Sequence, residues 1–294
     1  VEEHLWDRCL KDSPKTWRPA LDPEAAKAIA KKLVEAKNPV IHAGGGVLLS
    51  QASNELAALA EFLDIPVSRT LMGQGCIPDS HPLMVGQTGF WGLEFTHSLT
   101  KNADVILGLG TRFAEADSSS WYQGVTFDPR VTTFLQIDID PAEIGRNYPV
   151  EIGALGDLKI GLGQVLEEVK KICPEGKKNP ELRAAIAKAK ADFKASNVDI
   201  SNDSRFPMTP QRILKDVKEV IPEDSLIFTD VGWNKNGVAF KNAETGLRLN
   251  SAGTSATVTG EKASKTLDQR WTLKKVDPNP TDPVLEKALA KAKK

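Results

Sequence analysis

The sequence predicts an α/β fold, a doubly wound parallel sheet. Between Pro19 and Ile172, short apolar runs alternate with segments whose apolar residues recur at helical spacing. Parallel strands buried beneath helices have unbroken apolar sequences, and the crossover connections between them are almost always right-handed. Ligands of such sheets bind at the carboxyl ends of the strands, so the residues that follow each strand are the first candidates for function.

Four short runs are predicted to form the strands of this sheet. They are Val40 to Ala43, Pro66 to Thr70, Asp104 to Leu109 and Thr133 to Ile137. Glycine or hydrogen-bonding residues lie at the end of each run. These strand ends are Gly44 to Gly46, Thr70 to Met72, Gly110 to Arg112 and Asp138 to Asp140.

Helices are predicted between and after these strands. Asp22 is an expected N-cap for the first helix, which Lys37-Asn38-Pro39 ends. A later helix starts at Thr209-Pro210, an N-cap followed by proline at the first helical position. That later helix continues from Gln211 to Val220, and the remaining predicted helices are Gln51 to Leu63, Leu93 to Thr100, Leu158 to Ile172 and Glu181 to Ser196.

Charge is distributed unevenly along the 294 residues. Residues 240–294 hold 11 Lys and Arg against 6 Asp and Glu, whereas the rest of the chain holds 27 against 33. The net charge of −1 argues against a dedicated nucleic-acid binder, and the basic tail lacks interleaved aromatic residues. We therefore expect an acidic body joined to a basic tail of unknown origin.

The cysteines and the apolar runs indicate in which cellular compartment the protein is expected. Three separated cysteines, without CxxC spacing, argue against a disulfide framework or a zinc knuckle. No run reaches the length of a membrane span, and the first residues lack the features of a signal peptide. We expect a cytoplasmic protein that binds neither membrane nor specific nucleic acid.

The pattern divides the chain into five segments. A strand Ser225 to Thr229 and a turn Asp230 to Asn234 indicate that a second α/β unit begins but does not continue. The segments are an N-terminal linker at 1–18, the sheet domain at 19–173, a linker with a polar helix at 174–207, the incomplete second unit at 208–239 and the basic tail at 240–294.

The triple glycine after the first strand has two interpretations. Glycine lets backbone N–H groups approach a phosphate, which favours nucleotide contact. The full GxGxxG pattern is absent, however, and a simple tight turn from strand to helix explains the glycines equally well.

Two charged strand ends also have alternatives. Arg112 is placed to clamp a phosphate, or else it pairs with Glu115 or Asp117. Asp138 is the better candidate for ribose hydroxyls, whereas Asp140, followed by Pro141, fits a helix cap.

Aromatic and histidine side chains give weaker signals. Phe90 and Trp91 either stack on a flat ligand or pack in the core. The four histidines lack metal-ligand spacing and stand near no nucleophile motif, so we expect no metal site and no catalytic residue in this chain.

Several motifs, taken in order, resemble the central domain of thiamine-diphosphate-dependent enzymes, with the acetolactate-synthase-like branch as the nearest match. They are AGGGV at 43–47, TLMGQGCIPDSHPLMVGQTG at 70–89, ADVILGLGTRF at 103–113, LQIDIDPAEIGRNYPVE at 135–151 and GDLK at 156–159. Residues 206–238 are similar to the first helix, strand and loop of that family's cofactor-binding domain. The resemblance implies a Rossmann-like sheet domain, in agreement with the alternating pattern.

The family implies a decarboxylating lyase or carboligase acting on a 2-oxo acid, with thiamine diphosphate and magnesium as cofactors and the thiazolium as electron sink. Its members usually form homo-oligomers, which this domain helps to build. The activating glutamate and the GDG metal-binding sequence of the family have no counterpart here. We therefore expect this chain alone to lack a complete active site.

Flavin-binding relatives hold the adenine dinucleotide in this domain, so the resemblance implies FAD or ADP as a ligand. The matching residues, with two near the thiamine diphosphate, are Gly44, Gly45, Thr70, Leu71, Gly110, Arg112, Asp138, Ile139, Asp157, Gly232 and Asn234. The chain departs from the flavin pattern at Phe90-Trp91 and after Arg112. Bare ADP or an empty site thus remains open, and the alternative function is a stand-alone ADP- or FAD-binding module without catalysis.

Overall fold

The computed structural model describes residues 17–205 and 208–220, and the backbone of two short strands at 239–241 and 248–250. The chain divides into two compact units after Lys190. The predicted strand at 225–229, the turn at 230–234, the N-terminal linker up to residue 16 and most of the basic tail lie outside the described residues.

The first unit is built on a six-stranded parallel sheet with the order β3-β2-β1-β4-β5-β6. This confirms the predicted fold class. All four predicted strands are present, and no strand end differs from its predicted position by more than one residue. The strands are β1 (Pro39–Ala43), β2 (Val67–Arg69), β3 (Met84–Gln87), β4 (Val105–Leu109), β5 (Thr133–Asp138) and β6 (Val150–Leu155).

Helices connect these strands and continue beyond them. The helices are α1 (Pro23–Glu35), α2 (Gly45–Leu49), α3 (Ser53–Leu63), α4 (Glu94–Thr100), α5 (Leu158–Ile172), α6 (Pro180–Ser196), α7 (Val198–Asn202) and α8 (Pro210–Val220). Two 3₁₀ segments, Gly89–Trp91 and Ala116–Trp121, lie in the loops.

Local chemistry explains where the helices begin and end. Asp22 caps α1 as predicted, since its Oδ1 accepts the backbone N–H of Glu24 at 2.8 Å. Helix α3 ends at its C-cap Asp64, whose φ of 52° is left-handed. The Asp64 carboxylate is buried and bonded to Arg183 of α6, which fastens that helix to the sheet domain.

The two faces of the sheet are covered differently. Helices α1, α3 and α5 pack on one face over a large cluster of aliphatic side chains. The opposite face carries a smaller, aromatic cluster of Phe113, Phe127, Phe134 and Tyr148, in which Phe113 and Phe127 contact the buried His42.

The second unit contains the helices α7 and α8. The predicted start at Thr209-Pro210 is confirmed, because the Thr209 hydroxyl accepts the backbone N–H of Arg212 at 3.2 Å. Helix α7 lies within the predicted linker at 174–207, after its polar helix. The tail adds β7 (Ala239–Lys241), antiparallel to β8 (Arg248–Asn250), which the sequence pattern did not predict.

Candidate functional site

The predicted strand ends meet at one edge of the sheet, because all six strands run in the same direction. Strands β1 and β4 are adjacent although β2 and β3 lie between them in sequence. The strand order therefore reverses at β1, and the crevice expected of a doubly wound sheet would lie between the loops that follow β1 and β4. Ligands of doubly wound sheets bind at such a reversal.

Glycines close the floor of this crevice. A Cβ at Gly44 would lie 2.2 Å from the carbonyl oxygen of Gly110, so a side chain there has no room. The N–H of Gly44 donates to Leu109 O at 2.9 Å, and that of Gly46 donates to Gly110 O at 3.1 Å. Two of the three glycine N–H groups are thus engaged in holding the loops together, which supports the tight-turn interpretation and leaves Gly45 as the candidate phosphate donor.

Thr70 and Leu71 form the neighbouring wall after β2. The Thr70 hydroxyl accepts the backbone N–H of Gly73 at 3.0 Å and is buried, so it stabilises its own turn. The backbone N–H of Leu71 donates to Asp117 Oδ1 at 2.9 Å, and the Leu71 side chain is 38% exposed. Leu71 therefore offers an apolar surface at the edge of the crevice.

Arg112 extends from the loop after β4 and is exposed. Within the described part of the chain its guanidinium makes no ion pair with Glu115 or Asp117, the two alternatives that the sequence raised. Glu115 accepts instead from the Ser120 hydroxyl at 3.1 Å. Burial raises the pKa of Asp117, with the Leu71 hydrogen bond and the Arg112 charge acting against the rise. The Arg112 guanidinium is thus available to an incoming anion.

Asp138 ends β5, and its carboxylate is nearly buried. Burial raises the pKa of Asp138, and the nearby carboxylates Glu143 and Asp140 add to the rise. Its Oδ1 accepts the backbone N–H of Asp140 at 3.0 Å, while the Ile139 side chain between them is exposed. Asp140 in turn accepts from Ala142 N at 2.9 Å, so it stabilises a turn rather than the predicted helix.

Asp157 has a structural role in this fold. Its Oδ1 accepts the backbone N–H groups of Lys159 and Ile160, which makes it the N-cap of α5. Its Oδ2 accepts from Arg18 Nη1 at 2.7 Å. Both carboxylate oxygens of Asp157 already accept hydrogen bonds within the protein. Contact between Asp157 and a ligand stays a prediction.

Aromatic side chains line the same edge, and the core-packing alternative for Phe90 and Trp91 is wrong. Their exposed fractions are 58% and 56%. A Cβ at Gly89 would lie 1.9 Å from Ala116 O, which shows how closely the two 3₁₀ segments pack. Both rings therefore face solvent beside the loop that carries Trp121.

Strain in the second 3₁₀ segment was not predicted. Ser119, Ser120 and Trp121 have φ angles of 49°, 54° and 58°, a left-handed run without glycine. Such residues each cost of order 1 to 3 kcal/mol and cluster at functional sites. The Trp121 indole N–H donates to Phe113 O at 2.8 Å and helps to hold the turn. Periodicity gives no signal for this feature, since it depends on tertiary contacts.

Other candidate groups do not form a site among the residues described. His42 is fully buried, and no group of three or more His, Cys, Asp or Glu side chains in the described ranges is arranged to hold a metal ion. None of the helices in that part of the chain is long and apolar enough to cross a membrane. Gly232 and Asn234, the other two predicted site residues, lie outside it.

Comparison with known proteins agrees with the fold. Residues 26–169 match the family model of the central domain of thiamine pyrophosphate enzymes. A probable acetolactate synthase large subunit of Methanococcus aeolicus is 34% identical over 79% of this chain and 40% of its own length. One from Methanocaldococcus jannaschii is 37% identical over 74% of this chain and 36% of its length.

A second kind of relative matches over a similar span. A probable sulfoacetaldehyde acetyltransferase of Rhizobium meliloti is 31% identical over 80% of this chain and 42% of its own length. The chain thus spans about two fifths of the length of these curated relatives.

Proposed function

We propose, on the premise that this chain belongs to the thiamine-diphosphate-dependent enzymes of the acetolactate-synthase-like branch, that it supplies the central, nucleotide-binding domain of a 2-oxo-acid carboligase or lyase. The relatives that it matches carry the names acetolactate synthase large subunit and sulfoacetaldehyde acetyltransferase. The activity of the whole enzyme is proposed from these names, since the chain covers only part of their length.

The observation that carries the nucleotide proposal is the Arg112 guanidinium at the reversal of strand order, which has no ion-pair partner among the described residues. An exposed arginine without a carboxylate partner, above a crevice floored by Gly44 and Gly110, suits a diphosphate group. The bound group would be the ADP part of FAD or ADP itself.

Each flank of the crevice has a proposed role toward this ligand. The Gly45 N–H would donate to a phosphate oxygen and Arg112 would neutralise the diphosphate charge. Asp138, at the end of β5, would accept a ribose hydroxyl, and Leu71 and Ile139 would contact the adenosine through their exposed apolar surfaces.

Calorimetric titration of the chain with ADP, FAD and NAD tests the nucleotide proposal. Arg112→Ala is expected to weaken ADP binding by at least about tenfold, because a hydrogen bond to a charged group contributes about 1.5 to 3 kcal/mol. Asp138→Ala is expected to weaken it less, since a single ribose contact is lost.

Arg130→Ala is the matched control for these substitutions. Arg130 is paired with Asp128 within one turn before β5 begins, at the opposite edge of the sheet. Its removal should leave the dissociation constant of ADP unchanged. The absence of saturable binding by ADP and FAD would contradict the nucleotide role and leave a purely structural role for the domain.

Thiamine diphosphate and magnesium belong to the proposed whole enzyme, where the thiazolium supplies the carbanion-stabilising group for a 2-oxo-acid substrate. None of the described residues is assigned to hold them. We propose that the parent enzyme is a cytoplasmic homo-oligomer. The chain by itself should release no carbon dioxide from pyruvate with both cofactors present, and robust release in that assay would refute the expected incomplete site.

A further inference from the structure

Two polar side chains at the outer part of the sheet each carry an N–H donor that has no hydrogen-bond acceptor in the described part of the chain. Arg69 ends β2, Gln87 ends β3, and the two are register partners in the parallel ladder. Arg69 Nη1 donates to Gln87 Oε1 at 3.3 Å, which leaves the amide Nε2 for another partner. Arg69 Nε and Gln87 Nε2 are both buried, and each lacks a hydrogen-bond acceptor among the described residues.

Leaving buried donors unpaired is unfavourable, because each group has given up its hydrogen bonds to water without replacement. Arg69 is only 8% exposed and carries a full positive charge, so its need for a partner is the stronger. Both unpaired atoms are donors. The missing partner is therefore an acceptor, and beside a buried guanidinium it is best an anion.

Asp79 is the carboxylate that faces Arg69, and it fills this role poorly. Its Oδ1 lies 3.5 Å from Arg69 Nε without hydrogen-bond geometry, and its side chain is 66% exposed. The backbone of its loop is fixed independently, because Lys190 Nζ donates to Asp79 O at 2.9 Å and to His81 O at 2.7 Å. The Asp79 side chain is thus free to rotate away while its backbone stays in place.

The Cys76 thiol, an ionisable group near Arg69, does not compete for its charge. Burial raises the pKa of the Cys76 thiol, so that this side chain remains neutral near pH 7.

We propose that Arg69 and Gln87 form a binding site for a small oxyanion, either a phosphate or a carboxylate, which displaces the Asp79 side chain from Arg69. This site lies at the carboxyl ends of β2 and β3, on the outer side of the sheet from the β1–β4 crevice, and does not depend on the proposed nucleotide role. Bidentate recognition by a planar guanidinium suits both kinds of oxyanion.

Calorimetric titration with inorganic phosphate, and in a second arm with pyruvate as a carboxylate, tests the site at constant ionic strength. Asp79→Ser is expected to tighten binding by up to about fivefold, the value of an exposed ion pair that no longer competes. Arg69→Gln is expected to weaken binding by at least about tenfold, because the charged donor is lost. Whichever arm shows the tighter binding identifies the oxyanion.

Arg130→Gln, at the opposite edge of the sheet, is the control that should leave both titrations unchanged. Phosphate binding that survives Arg69→Gln would overturn the proposal, as would binding lost with Arg112→Gln alone, which would place the anion in the crevice. Far-ultraviolet circular dichroism checks that Arg69→Gln is folded. Asp79→Ser changes an exposed side chain, so the absence of saturable binding by either anion in that variant would also refute the site.

Discussion

The two faces of the sheet satisfy their buried atoms to different degrees. The aliphatic face, under α1, α3 and α5, is built from side chains that need only close packing. The aromatic face buries His42 Nε2, Tyr148 Oη and Ser118 Oγ without a hydrogen-bond partner among the described residues. The Phe113 ring stacks on His42 with a centroid separation of 5.4 Å.

This difference indicates that one face mainly supplies stability, whereas the other accepts unfavourable polar burial. The aromatic face also lies next to the loop in which Ser119, Ser120 and Trp121 have left-handed backbone angles. Left-handed backbone and the unpaired atoms of His42, Ser118 and Tyr148 thus lie on the same side of the domain.

Truncation on the aliphatic face should have the largest effect. Leu107 lies in the middle of β4 and is fully buried. Leu107→Ala is expected to lower the free energy of unfolding by about 4 kcal/mol, through lost burial and a residual cavity. Urea unfolding at pH 7 measures the change. Val131→Ala, at a position 63% exposed, is the control and should change stability by less than about 0.5 kcal/mol.

Truncation on the aromatic face should lower the free energy of unfolding by less than Leu107→Ala does, although the side chain removed is larger. Phe127→Ala is expected to lower the free energy of unfolding by about 3 kcal/mol, the low end for this substitution. The vacated space adjoins the His42 ring, 5.1 Å away between centroids, where an entering water finds an unpaired nitrogen. A loss equal to or greater than that of Leu107→Ala, measured in the same urea series, would remove the distinction between the faces.

Acid should weaken the protein through His42. Burial lowers the pKa of His42 to about 3, whereas an unfolded histidine titrates near 6.5. The unfolded state then binds more protons, so this contribution to stability is complete above about pH 6.5 and falls as the pH drops toward 3. Between pH 7 and pH 4 the loss is expected to be about 3 kcal/mol.

His42→Gln provides the comparison for this pH dependence, since glutamine keeps a polar group but does not titrate. Its stability curve should be flatter than that of the wild type between pH 6.5 and pH 4. Parallel curves in urea titrations across this range would show that another group carries the acid sensitivity.

Removing an unpaired hydroxyl should have the smallest effect. Burial raises the pKa of Tyr148 to about 12, with the nearby Ser118 hydroxyl acting against the rise, yet neither hydroxyl makes a hydrogen bond of normal geometry within the described residues. Tyr148→Phe is therefore expected to be neutral or to stabilise by up to about 1 kcal/mol in urea unfolding.

Thr100→Val is the contrasting control on this face. The Thr100 hydroxyl donates to Thr126 O at 2.6 Å, and its loss should destabilise by about 1 kcal/mol. If Tyr148→Phe destabilises as much as Thr100→Val, the phenol has a partner and the description of this face is incorrect.

The sequence predicted the central strands well and the outer strands not at all. The runs that became β1, β4 and β5 are buried on both faces, so their apolar pattern is unbroken. The outer strand β6 alternates between partly buried and exposed positions. The other outer strand, β3, is four residues long, with a bulge and a left-handed Gly86. Neither resembles a buried strand in sequence.

In the candidate site, too, the features with a local sequence pattern were predicted and those that depend on tertiary contacts were not. The strand ends gave the positions of Gly44, Gly110, Arg112 and Asp138 correctly at one edge of the sheet. The engagement of the glycine N–H groups, the Asp157 cap and the left-handed run at 119–121 depend on contacts between loops distant in sequence. Such contacts follow from the assembled fold and leave no local periodicity.

The adjacency of β1 and β4 has a consequence for synthesis on the ribosome. Pro39 pairs with Val105, so the central ladder of the sheet cannot close until the chain has been made beyond Leu109. The half formed by β1, β2 and β3 uses closer pairings, such as Ile41 with Val67, and is complete earlier. Until β4 emerges, the buried edge of β1 is open to other strands. The Gly44–Gly110 contact, which needs both β1 and β4, thus cannot form until after β2 and β3 have been made.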